Sequence, residues 1–84
     1  MEYEIIWSIT ATRQMKRFDR SVAKRIYEKV DQLYQNPERY VEKLVRYPYY
    51  RIRVGDYRII LDIQFESVRI LILKVGQRSN VYER

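Results

Sequence analysis

Gly55-Asp56 stands between two runs of alternating character, Tyr50-Arg51-Ile52-Arg53-Val54 and Tyr57-Arg58-Ile59-Ile60, and a two-residue turn of this kind sets a strand register. With Gly55 and Asp56 as the turn, Val54 pairs with Tyr57, Arg53 with Arg58, Ile52 with Ile59 and Arg51 with Ile60. Side chains alternate along a strand, so Arg51, Arg53 and Arg58 share one face while Tyr50, Ile52, Val54, Tyr57 and Ile59 share the other. Two arginines directly across a ladder repel, at a cost of a few tenths to about 1 kcal/mol against an opposite-charge pair. The arrangement points to an anion bound on that face.

The rest of the chain supplies the frame. Tyr3, Ile5 and Trp7 alternate as a short first strand, and Ser8 or Thr10 can cap a helix carrying Ala11, Met15 and Phe18 inward. Asp19 caps a second helix, predicted over Arg20 to Gln35, with Val22, Ile26, Val30 and Leu33 as its stripe and Ala23, Tyr27 and Tyr34 beside it. Trp7, Phe18, Tyr27 and Tyr34 are assigned to the core. Asn36-Pro37 ends that helix, because the residue before a proline disfavours helical backbone. Residues 38–48 are bracketed by Pro37 and Pro48 and read as a short turn of helix or a loop. Val68-Arg69-Ile70-Leu71-Ile72-Leu73-Lys74-Val75 is apolar enough for a central strand covered on both faces over part of its length. The predicted fold class is α+β: two N-terminal helices packed on a small, mainly antiparallel sheet, in the order β-α-α-β-β-β. The face of the sheet opposite the helices is expected to carry the three arginines.

Charge follows the hairpin. Residues 43–84 hold nine Lys and Arg against four Asp and Glu, whereas residues 1–42 hold eight against seven. A basic excess concentrated in one half favours a polyanion such as RNA or DNA, or an acidic protein. The chain has no cysteine, which removes disulfides and thiolate metal sites, and no histidine, which removes the commonest acid, base and zinc ligand. Ser-His-Asp and Cys-His systems are excluded with it. The Asp and Glu residues form no sequence cluster suited to magnesium, and no glycine-rich phosphate loop occurs. What remains is arginine with tyrosine. Arginine binds two phosphate oxygens at once and stays charged as negative charge develops, so such a site suits cleavage of RNA by its own 2′-hydroxyl without a cofactor. No apolar run is long enough for a membrane span and the N-terminus lacks a basic signal-peptide start, so a cytoplasmic location is expected.

The hairpin, followed after one strand by Val75-Gly76-Gln77-Arg78-Ser79-Asn80-Val81-Tyr82, resembles the RelE/ParE superfamily of prokaryotic toxins, and RelE in particular. The similarity runs over nearly the whole chain, including Trp7-Ser8, the two amphipathic helices, Asn36-Pro37 and Leu44, so residues 1–84 are expected to form one RelE-like toxin domain. It implies a ribosome-dependent mRNA endonuclease acting in the decoding site, without metal or cofactor, held inactive by a RelB-like antitoxin in a hetero-oligomer whose toxin is itself monomeric. Messenger RNA on the ribosome and ribosomal RNA would be its other partners. By position, Arg51 and Arg53 correspond to the basic positions of the family's second strand, Arg58 to the arginine of its third, Arg78 to the arginine after the last strand, and Tyr82 to the terminal tyrosine. The resemblance makes these five the catalytic set, the basic residues orienting the nucleotide and stabilising the phosphate, the tyrosine stacking on or assisting at the scissile nucleotide. Gln77 stands where relatives often have histidine, and arginines stand at 51 and 53 where some have lysine. Two alternatives stay open: a ParE-like toxin acting on DNA gyrase, and a non-catalytic basic module that binds RNA or an antitoxin.

Overall fold

The computed structural model describes residues 2–77. Glu4–Trp7 forms strand β1, and the chain turns at Ser8 into helix α1, Ile9–Met15. Of the two candidate caps it is Ser8 that serves: its backbone is extended and its hydroxyl accepts from the Ala11 N–H, satisfying a donor that a helix N-terminus leaves open. Asp19 repeats the device for helix α2, Arg20–Asp31, accepting from the Val22 N–H. The α-helix stops short of the predicted Gln35. It tightens into a 3-10 turn over Gln32–Tyr34, and Pro37–Arg39 forms a second such turn.

Strands β2, Glu42–Lys43, β3, Tyr50–Val54, β4, Tyr57–Gln64, and β5, Arg69–Gln77, complete a five-stranded sheet in the order β1-β5-β4-β3-β2. The hairpin register is the predicted one, with Arg53 opposite Arg58 and Arg51 opposite Ile60. Gly55 takes a φ of 59° and Asp56 stays negative, the pattern of a type II′ turn. One feature differs from the sequence expectation, and one makes the mainly antiparallel sheet more specific. The stretch 38–48 contributes a fifth strand, because Glu42 and Lys43 pair with Arg51 and Tyr50 at the sheet edge. The first and last strands, moreover, run parallel, Glu4 beside Arg69 and Trp7 beside Ile72, while the other pairings are antiparallel.

Ala11, Met15, Ile26, Val30 and Leu33 of the helical layer close on Ile52, Val54, Ile59, Leu61, Ile63, Ile70, Ile72 and Val75 of the sheet. Trp7 and Phe18 pack against this core as assigned. Tyr27 and Tyr34 do not belong to it: they are 42% and 43% exposed. They flank the Ile26, Val30 and Leu33 stripe, and a layer two helices wide leaves that flank in solvent. The Tyr27 ring instead lies 5.0 Å from that of Trp7.

Helix α1 also replaces a strand. Because β1 ends at Trp7, the outer edge of β5 beyond Ile72 has no strand beside it among the described residues, and its polar groups take other partners. The Ser8 N–H donates to the Ile72 carbonyl at 3.0 Å, the Ser8 hydroxyl to the Leu73 carbonyl at 3.0 Å, and the Val75 N–H to Gln14 Oε1 at 2.7 Å. Between β4 and β5 the register shifts, since Ile60 faces Lys74 but Leu61 faces Ile72, leaving Leu73 as the extra residue of a β-bulge. The bulge reverses the alternation of β5. Ile70 and Ile72 point into the core before it and Val75 after it, which turns Lys74 to the other face.

Candidate functional site

The face of the sheet away from the helices collects the basic residues in two adjoining rows. One runs Glu42, Arg51, Ile60, Lys74 and the next Arg53, Arg58, Gly76, each residue directly opposite its neighbour. Arg51, Arg53 and Arg58 thus share one face, as the hairpin register requires. Arg78 and Tyr82 lie outside the described residues. Lys74 and Glu42 join the face although the sequence pattern does not single them out. Lys74 reads as a core-facing position unless the bulge is known, and Glu42 lies in the stretch between prolines where no strand is evident.

Glu42 organises the cluster. Arg51 donates from Nε at 3.1 Å and from Nη2 at 2.8 Å to the same carboxylate oxygen, and Arg53 Nε stands 3.7 Å from it. The hydrogen bonds and charge of Arg51, with smaller contributions from Arg53 and Arg58, hold the Glu42 carboxyl below its ordinary value. Burial does not help, for Glu42 is exposed. The pairing instead packs Arg51 down, to a side-chain exposure of 17%, while Arg53 keeps 56%. A cleft of about 250 Å³ opens at the hairpin end between Arg53, Gly55, Asp56 and Arg58. On the helical side of the same turn the Arg25 guanidinium covers Gly55, with Nη2 2.8 Å from where a Cβ would sit.

The face is not bare, as the sequence leads one to expect. The loop from Leu44 to Tyr49 folds over it, closed by a 3.0 Å hydrogen bond from the Leu44 N–H to the Tyr49 carbonyl. Leu44 and Ile60 bury each other there, with Tyr49 and Leu73 packed against them. The reason is in the register: Ile60 is opposite Arg51, so one large apolar side chain of β4 must be covered on the arginine side. A second cleft, about 360 Å³, lies at the end of β5 between Gln14, Arg17, Phe18, Val75, Gly76 and Gln77. Among the described residues no three His, Cys, Asp or Glu side chains converge as a metal set, and no helix is long and apolar enough to cross a membrane. What the arrangement offers chemically is several cations fixed by a sheet, able to grip phosphate oxygens in pairs.

Solved structures share this architecture. A chain of the RelBE2 toxin-antitoxin complex from Mycobacterium tuberculosis superposes with a TM-score of 0.85 at 25% identity, covering 93% of this chain and all of that one. A chain of the archaeal RelE-RelB complex from Pyrococcus horikoshii gives 0.80 at 27% identity, covering 96% and all of that chain. The isolated RelE toxin of E. coli gives 0.75 at 21% identity, covering 95% and 90%, a likeness of fold. No curated protein sequence matches the chain. The profile of the ParE toxin of type II toxin-antitoxin systems matches residues 5–82, and with a match over nearly its whole length the chain belongs to that family, within the RelE/ParE toxin superfamily.

Proposed function

We propose that this toxin is a ribosome-dependent endoribonuclease that cuts messenger RNA in the decoding site. The observation that carries this reading is the direct opposition of Arg53 and Arg58, with Arg51 and Lys74 on the same face and Glu42 beside Arg51 and Arg53. A sheet built for stability alone would avoid the cross-strand arginine pair, whereas a phosphate between them turns repulsion into binding. In the reaction the 2′-hydroxyl oxygen attacks the adjacent phosphorus as its proton leaves. The bond to the 5′-oxygen breaks and that oxygen takes up a proton in place of the one the 2′-hydroxyl released, giving a 2′,3′-cyclic phosphate and a 5′-hydroxyl. Arg51 and Arg53 orient the nucleotide, Arg58 and Arg78 carry the charge that grows on the phosphoryl oxygens, and Tyr82 stacks on or assists at the scissile nucleotide. Glu42 presents to Arg51 the acceptor that a phosphate oxygen would replace.

A RelB-like antitoxin is the proposed partner, in keeping with the RelB-bound relatives, and a toxin aimed at ribosomes acts in the cytoplasm. The family profile also favours a second reading, in which a ParE-like toxin inhibits DNA gyrase and the arginines cut nothing. Purified toxin added to programmed ribosomes separates the two. Cleavage at the decoding-site codon, reduced about 100-fold or more by Arg58→Ala, is expected for loss of one charge-stabilising group. Intact messenger RNA together with blocked DNA supercoiling by gyrase would overturn the endonuclease in favour of the gyrase toxin.

A further inference from the structure

Tyr49 occupies a position that the arginine cluster alone does not explain. It precedes Arg51 and Arg53 at two-residue spacing, and its packing against the Leu44–Ile60 cluster places it on their face of the sheet. Beneath it Leu44 and Ile60 are buried, while Tyr49 and Leu73 remain only partly covered. The ring is thus seated on an apolar floor and still reaches solvent. Its backbone is held as well, by the Leu44 N–H on its carbonyl. Across the same row stand Arg51 and Lys74, one on either side of Ile60.

An anchored aromatic ring beside fixed cations is how proteins take up a single-stranded nucleotide: the base stacks on the ring while the cations hold its phosphate. We propose that Tyr49, supported by Leu44, Ile60 and Leu73, is a nucleobase platform next to the phosphate site of Arg51, Arg53 and Arg58. This deepens the endonuclease reading and rests on it for the identity of the RNA. An apolar segment of a protein partner is less suited, because Arg51 and Lys74 flank Ile60, and Arg53 and Arg58 follow on the hairpin side, leaving Glu42 and Asp62 as the acidic groups on that face among the described residues. A stack of this kind tolerates every base but requires that one be present.

The test uses the whole toxin and short 2′-O-methyl RNA oligonucleotides, which cannot be cut by 2′-hydroxyl attack, with or without one abasic position. Binding is read by fluorescence anisotropy at fixed salt. The wild type is expected to bind the base-bearing oligonucleotide about ten-fold more tightly than the abasic one. Tyr49→Phe should keep that preference and Tyr49→Leu should lose it, with thermal unfolding confirming that both variants fold. Arg53→Ala should weaken both oligonucleotides alike, the mark of a phosphate contact. Equal binding of the two oligonucleotides by the wild type, no binding of either, or a preference that survives Tyr49→Leu overturns the proposal. Ribosomal cleavage without base preference would remove the platform and leave the endonuclease standing; base preference without cleavage would do the reverse.

Discussion

At Glu42 one carboxylate faces Arg51, Arg53 and Arg58, and its proton affinity is lowered mainly by the hydrogen bonds and charge of Arg51. A group whose folded-state value is lowered stabilises the fold above its unfolded value, and that contribution disappears as pH falls through the lowered one. Protonation in acid therefore removes the negative charge that offsets repulsion among the arginines. Glu42→Gln should do this at neutral pH: a slightly lower Tm, a flatter loss of stability in acid, and tighter non-specific binding of single-stranded RNA. If Arg51 then takes one more phosphate, the slope of log affinity against log salt steepens by about 0.7. Unchanged RNA affinity in Glu42→Gln would show that the carboxylate does not compete with phosphate for Arg51. Of the face's residues, Arg51, Arg53 and Arg58 were legible because Gly55-Asp56 ties their register to a local turn. Tyr49 was not, since nine tyrosines give nothing to choose among them until Ile60 is seen to need a cover.

Among the elements, the contact between α1 and β5 decides how the last strand is held. Gln14 gives its side-chain oxygen to the Val75 N–H, a donor on the edge that β1 no longer reaches. Gln14→Leu keeps the bulk and removes the acceptor, so a partly buried N–H is left unpaired at a cost of about 1–2 kcal/mol. In a domain of this size that lowers Tm by about 5–15 °C. Gln14→Glu, which keeps the oxygen, should recover much of the loss in a thermal melt; equal losses in both variants would mean that the bond contributes nothing. The cap residues Ser8 and Asp19 were readable because capping is a local rule. The bulge at Leu73 was not, because Ile70-Leu71-Ile72-Leu73 is apolar at every position and conceals where alternation reverses. Only the partners of Ile60 and Leu61 reveal it, and with it the side on which Lys74 stands.

For the molecule as a whole, the parallel pairing of β1 with β5 is the longest closure, joining Glu4 to Arg69 across the intervening helices and hairpin. An ion pair at 3.6 Å between the two side chains marks its start. Helix, hairpin and cap signals act over a few residues, so the sequence carries the elements but not which strand lies beside the first. Among the described residues strand β1 pairs with β5 alone, and the core includes Ile70, Ile72 and Val75 from β5. A chain ending at residue 68 should therefore lack a cooperative thermal transition and show no hydrogen-exchange protection in β1. A folded 1–68 fragment would show that the hairpin and helices suffice.

That closure also orders events in time. The chain is made from β1 toward β5, so the β1–β5 pairing and the part of the cationic face that includes Lys74 form only after the helices and hairpin have been synthesised. One step of assembly thus both closes the core and completes the cationic face, so a chain that fails to close presents only part of that basic surface.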